Sequence, residues 1–337
     1  MSVRVAINGF GRIGRLVLRS IAEHARTDLQ VVAVNDLGST EANAHLLRYD
    51  SVHGRFPGQV RVEGNSLDLG QGPIRVTSVR NPAELPWAEL GVDIAMECTG
   101  IFTAREQASG HLRAGAKRVL VSAPADGADK TIVYGVNHQK LTAADHIVSN
   151  GSCTTNCLAP IVQVLNQSVG IERGYMTTVH SYTNDQPSLD QLHKDLYRAR
   201  AAAQSMIPTS TGAAKALGLV LPEMQGKLDG SAIRVPTPNV SLIDLVFTPS
   251  RIASVDTINA AMIAAASEGP LKGVLAVTHE PNVSSDFNHS AASATCALPL
   301  TQSIDGGQMA RVLAWYDNEW GFATRMSDTA MVMARLI

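Results

Sequence analysis

No stretch of the chain reaches the roughly 18 consecutive apolar residues that a bilayer-spanning helix needs, so no membrane segment is read. Charge of neither sign is in surplus: 28 Lys plus Arg stand against 30 Asp plus Glu, a formal charge of -2. The basic stripe that binding to a phosphate backbone requires is therefore missing, and nucleic acid is not an expected partner. The start, MSVRVAINGF, runs straight into a β-like segment without the charged region, long apolar run or cleavage site of a leader, which predicts a cytoplasmic protein. Cysteine is scarce, with four in 337 residues. Cys98 and Cys296 have no Cys or His neighbours at zinc spacing, and Cys153 and Cys157 lie on one predicted helix with poorly directed Cβ vectors for a disulfide. A large core in a reducing compartment needs no staples, so neither metal nor disulfide is expected. Internal repeats, low-complexity tracts and Pro-rich linkers are absent as well.

What is present is ample apolar material, 45% of a 35.8 kDa chain, enough for two domains each with its own core. In the first half, β-branched runs at 3–7, 31–34, 92–96, 118–122 and 146–150 alternate with helical patterns. This predicts an α/β fold with a doubly wound parallel sheet, the Rossmann type. Beyond Cys153 the runs lengthen, as in GYMTTVHSYT and MARVLAWYDNEW, which predicts a second, α+β domain with a mixed, largely antiparallel sheet. From Trp320 onward, Phe322, Met326, Ala330 and Met333 form one helical stripe. Residues 181–207 are polar and weakly periodic and read as a long ordered loop, a type that is usually functional.

Gly9, Gly11 and Gly14 in INGFGRIGR place G-x-G-x-x-G between a predicted strand and a helix carrying Ile13, Val17 and Ile21 on one face. Glycine permits the tight turn and the close approach of a pyrophosphate to a helix N-terminus, where amides are unpaired. Asp36, ending VVAVND, stands where a carboxylate can accept ribose hydroxyls and would repel a 2′-phosphate. Strand, helix and acid together predict dinucleotide binding.

In SNGSCTTNCLAP, Ser152 is a suitable N-cap and Leu158, Ile161, Val162 and Leu165 mark a helix, so Cys153 falls in its first turn. Helix amides and dipole there favour a thiolate, making Cys153 a candidate nucleophile against the alternative of a structural cysteine. Cys157, one turn deeper, reads as core. His180 in GYMTTVHSYT is either a satisfied core histidine or the base such a thiol needs. Arg198, Arg200 and Arg234 are separated cations, and IPTSTGAAK is a hydroxyl and glycine turn opening a helix, suited to an anion. A dinucleotide, a thiol and phosphate-sized cation sites together suggest an aldehyde oxidised through a thioester.

INGFGRIGR, SNGSCTTNCLAP, HSYTNDQ, IPTSTGAAK, RVPTPNVS and WYDNEWG, in this order over nearly the whole chain, resemble the phosphorylating glyceraldehyde-3-phosphate dehydrogenase family. The resemblance implies an NAD-binding Rossmann domain at 1–152 completed by a C-terminal helix at 318–337, a catalytic domain at 153–317, and a homotetramer. It implies Cys153 as nucleophile and His180 as its base. Thr183 and Arg234 would hold the phosphate of glyceraldehyde 3-phosphate, and Ser152, Thr154, Arg198, Thr211 and Gly212 inorganic phosphate. Gly9, Gly11, Arg12, Ile13, Gly14, Asp36, Arg80, Ser122 and Asn318 would contact NAD, with the Asn318 amide orienting the nicotinamide. Erythrose-4-phosphate dehydrogenase, a sister activity with the same thiol and base, is the alternative. Gly151 replaces a more usual alanine, Pro187, Ser188 and Tyr197 also depart from the common pattern, and Gln191 and Leu192 stand where a Leu-Pro pair commonly accompanies strong NAD preference.

Overall fold

The computed structural model describes residues 2–337, which divide into two compact units: residues 2–152 with Ala323–Ile337, and Cys153–Phe322. The first unit opens with β1 (Val3–Asn8), α1 (Arg12–Glu23), β2 (Leu29–Asn35) and α2 (Thr40–Arg48). A short hairpin, β3 (Tyr49–Asp50) and β4 (Gly54–Arg55), precedes β5 (Arg61–Glu63), β6 (Ser66–Asp68) and β7 (Pro73–Thr77). Then follow β8 (Ile94–Glu97), α3 (Arg105–Ala108), α4 (Gly110–Arg113), β9 (Arg118–Val121), β10 (Lys130–Thr131) and β11 (Ile147–Ser149). The nine-stranded sheet runs β10-β11-β9-β8-β1-β2-β7-β6-β5, parallel from β10 to β7 and antiparallel at the β6 and β5 edge.

Val5, Ala6 and Ile7 on β1 are fully buried, as are Ile94, Ala95 and Met96 on β8. Central parallel strands are covered on both faces, which is why these segments read as continuous apolar runs and not as alternating ones. The chain leaves β1 toward β2 on one side and reaches β8 on the other, so the carboxyl ends of β1, β2 and β8 flank the switch point where such sheets leave a crevice.

The second unit contains α5 (Cys153–Ser168), β12 (Arg173–Ser181), β13 (Ile207–Ser210), α6 (Ala213–Val220), β14 (Leu228–Val235) and β15 (Ser241–Thr248). These are followed by α7 (Val255–Ser267), β16 (Leu275–Thr278), β17 (Ala294–Ala297), β18 (Gln302–Ile304), β19 (Met309–Tyr316) and α8 (Trp320–Ala334), whose later turns belong to the first unit. Its sheet, β13-β14-β12-β15-β19-β17-β16 with β18 beside β19, is mixed: β12 pairs parallel with β14 and β16 with β17, and the other pairings are antiparallel. The Rossmann and mixed-sheet α+β architecture expected from the sequence is therefore present. Residues 182–206 contain no helix or strand, in keeping with the long loop. One local expectation differs, because Ile207–Ser210 of IPTSTGAAK is an edge strand and only Ala213 onward is helical. Ile207 and Thr209 alternate inward against β14, a period-2 pattern too short to stand out in the sequence.

Phe322, Met326, Ala330 and Met333 are all buried along α8. Asp317 anchors the start of this helix: its Oδ1 accepts from the Glu319 and Trp320 amides at 2.9 and 2.8 Å, and its Oδ2 from the Asn239 side chain and the His289 amide at 2.9 and 2.7 Å. At the far end the buried Arg118 guanidinium donates to Leu336 O at 2.7 Å and Ala143 O at 3.1 Å, and also to Asp145 O. Among the described residues no helix is long and apolar enough to cross a membrane, and no group of three or more His, Cys, Asp or Glu could hold a metal ion. Arg118→Met would strand these carbonyls and cost about 2–3 kcal/mol, the scale of buried hydrogen bonds to a charged group. The expected result is a lower Tm by calorimetry and faster amide exchange in the last turn of α8.

Candidate active site

In the first unit, Gly9 ends β1 in the left-handed region at φ +87°, and a Cβ there would lie 2.6 Å from the Thr99 amide nitrogen. A Cβ on Gly14 would lie 2.1 Å from the Gly9 carbonyl oxygen, so α1 sits flush on the turn. A Cβ on Gly11 would meet nothing within 4 Å. Two glycines thus allow packing and the third leaves open backbone at the head of α1, which suits a pyrophosphate. Asp36 is held in place by its own oxygens: Oδ2 accepts from the Phe10 amide at 3.0 Å and Oδ1 from the Gly38 amide at 2.9 Å.

Gly9, Gly11, Asp36 and Arg80 line one cavity of about 540 Å³, with Asn8 and Thr99 among its other walls. Arg12 and Ile13 form the first turn of α1, where backbone amides face an incoming anion, but the Arg12 guanidinium is spoken for, bonded to Asp50 at 2.6 Å. Ser122 follows β9, and its side chain bonds Cys98, whose thiol is pushed up by burial and by Glu97. A cavity with an acid for ribose hydroxyls, open glycine backbone and a helix N-terminus fits a dinucleotide.

In the second unit, α5 starts at Cys153, and Cys153 Sγ lies 3.5 Å from His180 Nε2. His180 and Arg234 are register partners in the parallel β12–β14 pair, and Arg234 Nη1 lies 2.7 Å from His180 Nδ1 and 2.9 Å from Ser181 O. Nδ1 is also 2.7 Å from Ser181 O. A ring nitrogen cannot donate to a carbonyl and accept from a guanidinium at once. With the proton on Nδ1, donated to Ser181 O, Arg234 is satisfied by the same carbonyl and Nε2 presents a lone pair to the thiol, the tautomer a base requires.

Burial pushes His180 down to about 3, with the Arg234 and Arg198 cations acting the same way and the Ser181 backbone hydrogen bond opposing. Burial pushes the Cys153 thiol up, against the downward pull of Arg234, the Thr154 hydroxyl and the amides of Thr154 and Cys153. The thiolate-favouring helix terminus anticipated from the sequence is there, but burial works against it and on balance pushes the thiol up. Below it, Tyr316 is fixed by hydrogen bonds of 2.8 Å to both the Thr154 and Thr178 hydroxyls and meets the His180 ring edge-on at 5.9 Å.

Cys157 is fully buried, with its thiol pushed well up, and Cys296 is likewise raised by burial to about 12. Arg198 spreads its donors over Asp185 Oδ2 at 2.6 Å, Thr209 Oγ1 at 3.0 Å and Ser210 O at 3.4 Å. Thr211 accepts the Ala213 amide at 3.2 Å and Gly212 caps α6. Thr183 lies in the turn after β12, where its carbonyl accepts the Gln186 amide at 2.9 Å. Arg234 keeps its Nε buried without a partner. Ser152 immediately precedes α5. Cys153, Thr154, His180 and Arg234 are thus gathered in one cluster, with Arg198 near enough to act on His180 and Arg234 electrostatically.

Asn318 Oδ1 accepts from Ser181 Oγ at 2.9 Å and Ser241 Oγ at 3.0 Å, which fixes which way its amide faces. Tyr316, Ser181 and Ser241 were not singled out in the sequence; the pairing of β12 with β15 and of β15 with β19 brings them to the site, and no local pattern marks them. Brief treatment with iodoacetamide is expected to modify Cys153 alone, read by peptide mass spectrometry, because it has an imidazole at 3.5 Å and the Arg234 cation pulling its pKa down, whereas Glu97 raises Cys98 and both Cys157 and Cys296 are buried. His180→Asn should slow that alkylation by roughly 10²-fold. Adducts at Cys157, or an unchanged rate, would contradict the assignment.

Comparison with known proteins adds two family matches: the NAD binding domain of glyceraldehyde 3-phosphate dehydrogenase over residues 3–105, and the C-terminal domain over residues 152–318. Glyceraldehyde-3-phosphate dehydrogenase of Xanthobacter flavus is 69% identical over 336 residues, spanning 100% of both chains. The protein of that name from Cereibacter sphaeroides is 66% identical over 337 residues, again 100% of both, and that of Geobacillus stearothermophilus 56% identical over 335 residues, 99% of both.

Proposed function

Since the chain belongs to the glyceraldehyde 3-phosphate dehydrogenase family, we infer that it is an NAD-dependent enzyme that oxidises D-glyceraldehyde 3-phosphate, with inorganic phosphate, to 1,3-bisphosphoglycerate. The family match disfavours erythrose 4-phosphate as the substrate. The observation that carries the chemistry is the Cys153 thiol at the start of α5, 3.5 Å from the Nε2 of His180. Addition forms a bond from Cys153 Sγ to the aldehyde carbon while the thiol proton passes to His180 Nε2. The resulting oxyanion is held by the Cys153 backbone amide and the His180 ring, which returns the proton to it. His180 then takes that hydroxyl proton as the hydride leaves. NAD, when bound, supplies the acceptor for that hydride. Phosphate attacks the thioester, and the tetrahedral adduct collapses with Cys153 expelled as thiolate, giving the acyl phosphate.

Arg234, with a buried unpartnered Nε, and Thr183 are assigned to the substrate phosphate. Ser152, Thr154, Arg198, Thr211 and Gly212 are assigned to inorganic phosphate. Gly9, Gly11, Arg12, Ile13, Gly14, Asp36, Arg80, Ser122 and Asn318 are assigned to NAD. Residues 1–152 with the C-terminal helix are taken as the NAD-binding domain, and the working state as a cytoplasmic homotetramer.

Arg234→Leu is expected to raise KM for the phosphorylated aldehyde by roughly 10- to 100-fold, the loss of one charge-assisted bond, and to leave KM for an unphosphorylated aldehyde nearly unaffected, any change in kcat through His180 and Cys153 being common to both. Equal rises in KM with both aldehydes would make Arg234 a structural residue. Asp36→Ala should weaken NAD use and improve NADP use, shifting the ratio of kcat/KM from both ends, because the carboxylate both accepts ribose hydroxyls and repels a 2′-phosphate. A ratio that does not move at fixed ionic strength would place cofactor selectivity elsewhere.

A further inference from the structure

Behind the cavity wall of the first unit lies a buried hydrogen-bonded chain that none of the roles above uses. Trp87, Glu97 and His111 are each at most 1% exposed, and Asn8 and Asn35 at most 4%. Trp87 Nε1 is only a donor and lies 3.0 Å from His111 Nδ1, so Nδ1 accepts and the imidazole proton sits on Nε2. Nε2 in turn donates to Glu97 Oε2 at 2.9 Å. The same oxygen accepts the Asn8 side-chain amide at 2.6 Å, while Oε1 accepts the Thr99 backbone amide at 2.7 Å and the Thr99 hydroxyl. The Glu97 carboxylate therefore meets four donors.

The direction of this chain propagates across the sheet. Glu97, Asn8, Asn35 and Thr77 are successive register partners at the carboxyl ends of β8, β1, β2 and β7. With its nitrogen committed to Glu97, Asn8 offers Oδ1 to Asn35 Nδ2 at 2.7 Å. Asn35 Nδ2 also donates to Val79 O at 2.8 Å, and its Oδ1 accepts from the Thr77 hydroxyl and the Val79 amide, both at 2.9 Å. Asn8, Asn35, Val79 and Thr99 all line the cavity. The Thr99 amide nitrogen that Glu97 holds is also the atom a Cβ on Gly9 would strike at 2.6 Å, so Glu97 fixes the surface on which the glycine turn rests.

We propose that Glu97, oriented by His111 and Trp87, is a positioning residue that presets the glycine turn and the polar wall of the cavity for the dinucleotide. The proposal rests on the dinucleotide reading of that cavity. Glu97→Gln keeps the shape but turns an NH₂ toward two of the four donors; relieving that clash by flipping Asn8 would set its nitrogen against that of Asn35. The expected result is a rise of about tenfold in Kd for NAD by titration calorimetry, the scale of one charged-group hydrogen bond. KM for NAD should rise in parallel, while kcat and KM for the aldehyde stay within about twofold.

Should Glu97→Gln fail to fold, His111→Phe removes a single donor from the carboxylate and is expected to raise Kd by roughly threefold. Trp87→Phe, one step further from the wall, should change Kd less than His111→Phe although it removes the larger buried indole ring. A structural role alone would make loss of NAD affinity follow loss of Tm across the three variants, and that pattern overturns the proposal, as does an unchanged Kd in a folded Glu97→Gln or His111→Phe. Failure of the wild-type chain to bind NAD would instead sink the dinucleotide reading itself.

Discussion

The parallel pairing of β12 with β14 sets His180 directly beside Arg234, and much of the geometry of the candidate site follows from that register. Side chains alternate faces along a strand, so a slip of one residue in either strand would turn one of the two away. The register also brings Arg234 to the Ser181 carbonyl, which lets one backbone oxygen take both the imidazole proton and the guanidinium. Antiparallel pairing of β12 with β15, and of β15 with β19, then carries Tyr316 under the imidazole and Asn318 to the Ser181 hydroxyl. The thiol comes from outside the sheet, on α5, so only the helix start needs to be aimed.

The two units solve different physical problems at their functional ends. In the first, the problem is desolvated polar side chains at the ends of parallel strands buried on both faces, and at the cavity wall it is met by saturation: Glu97 takes four donors and Asn35 makes four hydrogen bonds. In the second, the cations are not fully neutralised. Arg234 has an unpartnered buried nitrogen, and both Arg234 and Arg198 act on His180. An anion arriving there would offset that positive field and make the imidazolium easier to form.

Local chemistry was the legible part of the sequence. Glycines with steric reasons, the start of α5, the apolar stripe of α8 and the alternation of strands and helices each depend on neighbours within a few residues, and all are present in the structure. What stayed hidden depends on pairing across long separations. Trp87, Glu97 and His111 lie in segments whose own patterns give no hint that one carboxylate joins them, and Tyr316 looks like any aromatic at a strand end until β19 is placed beside β15. The burial that pushes the thiol up is hidden for a related reason: a helix start is visible in sequence, whereas desolvation is a property of the packed site.

Val240 adopts φ +67°, a left-handed conformation that a β-branched residue resists. It stands just before Ser241, whose hydroxyl accepts the Ser181 amide at 3.1 Å and donates to Asn318. Strain of this kind costs on the order of 1–3 kcal/mol and is released whenever the corner opens, so opening there requires less work than at an unstrained turn. Strain at this corner lowers the cost of freeing the Ser181 amide locally, short of unfolding the unit, and with it the two hydroxyls that orient the Asn318 carboxamide.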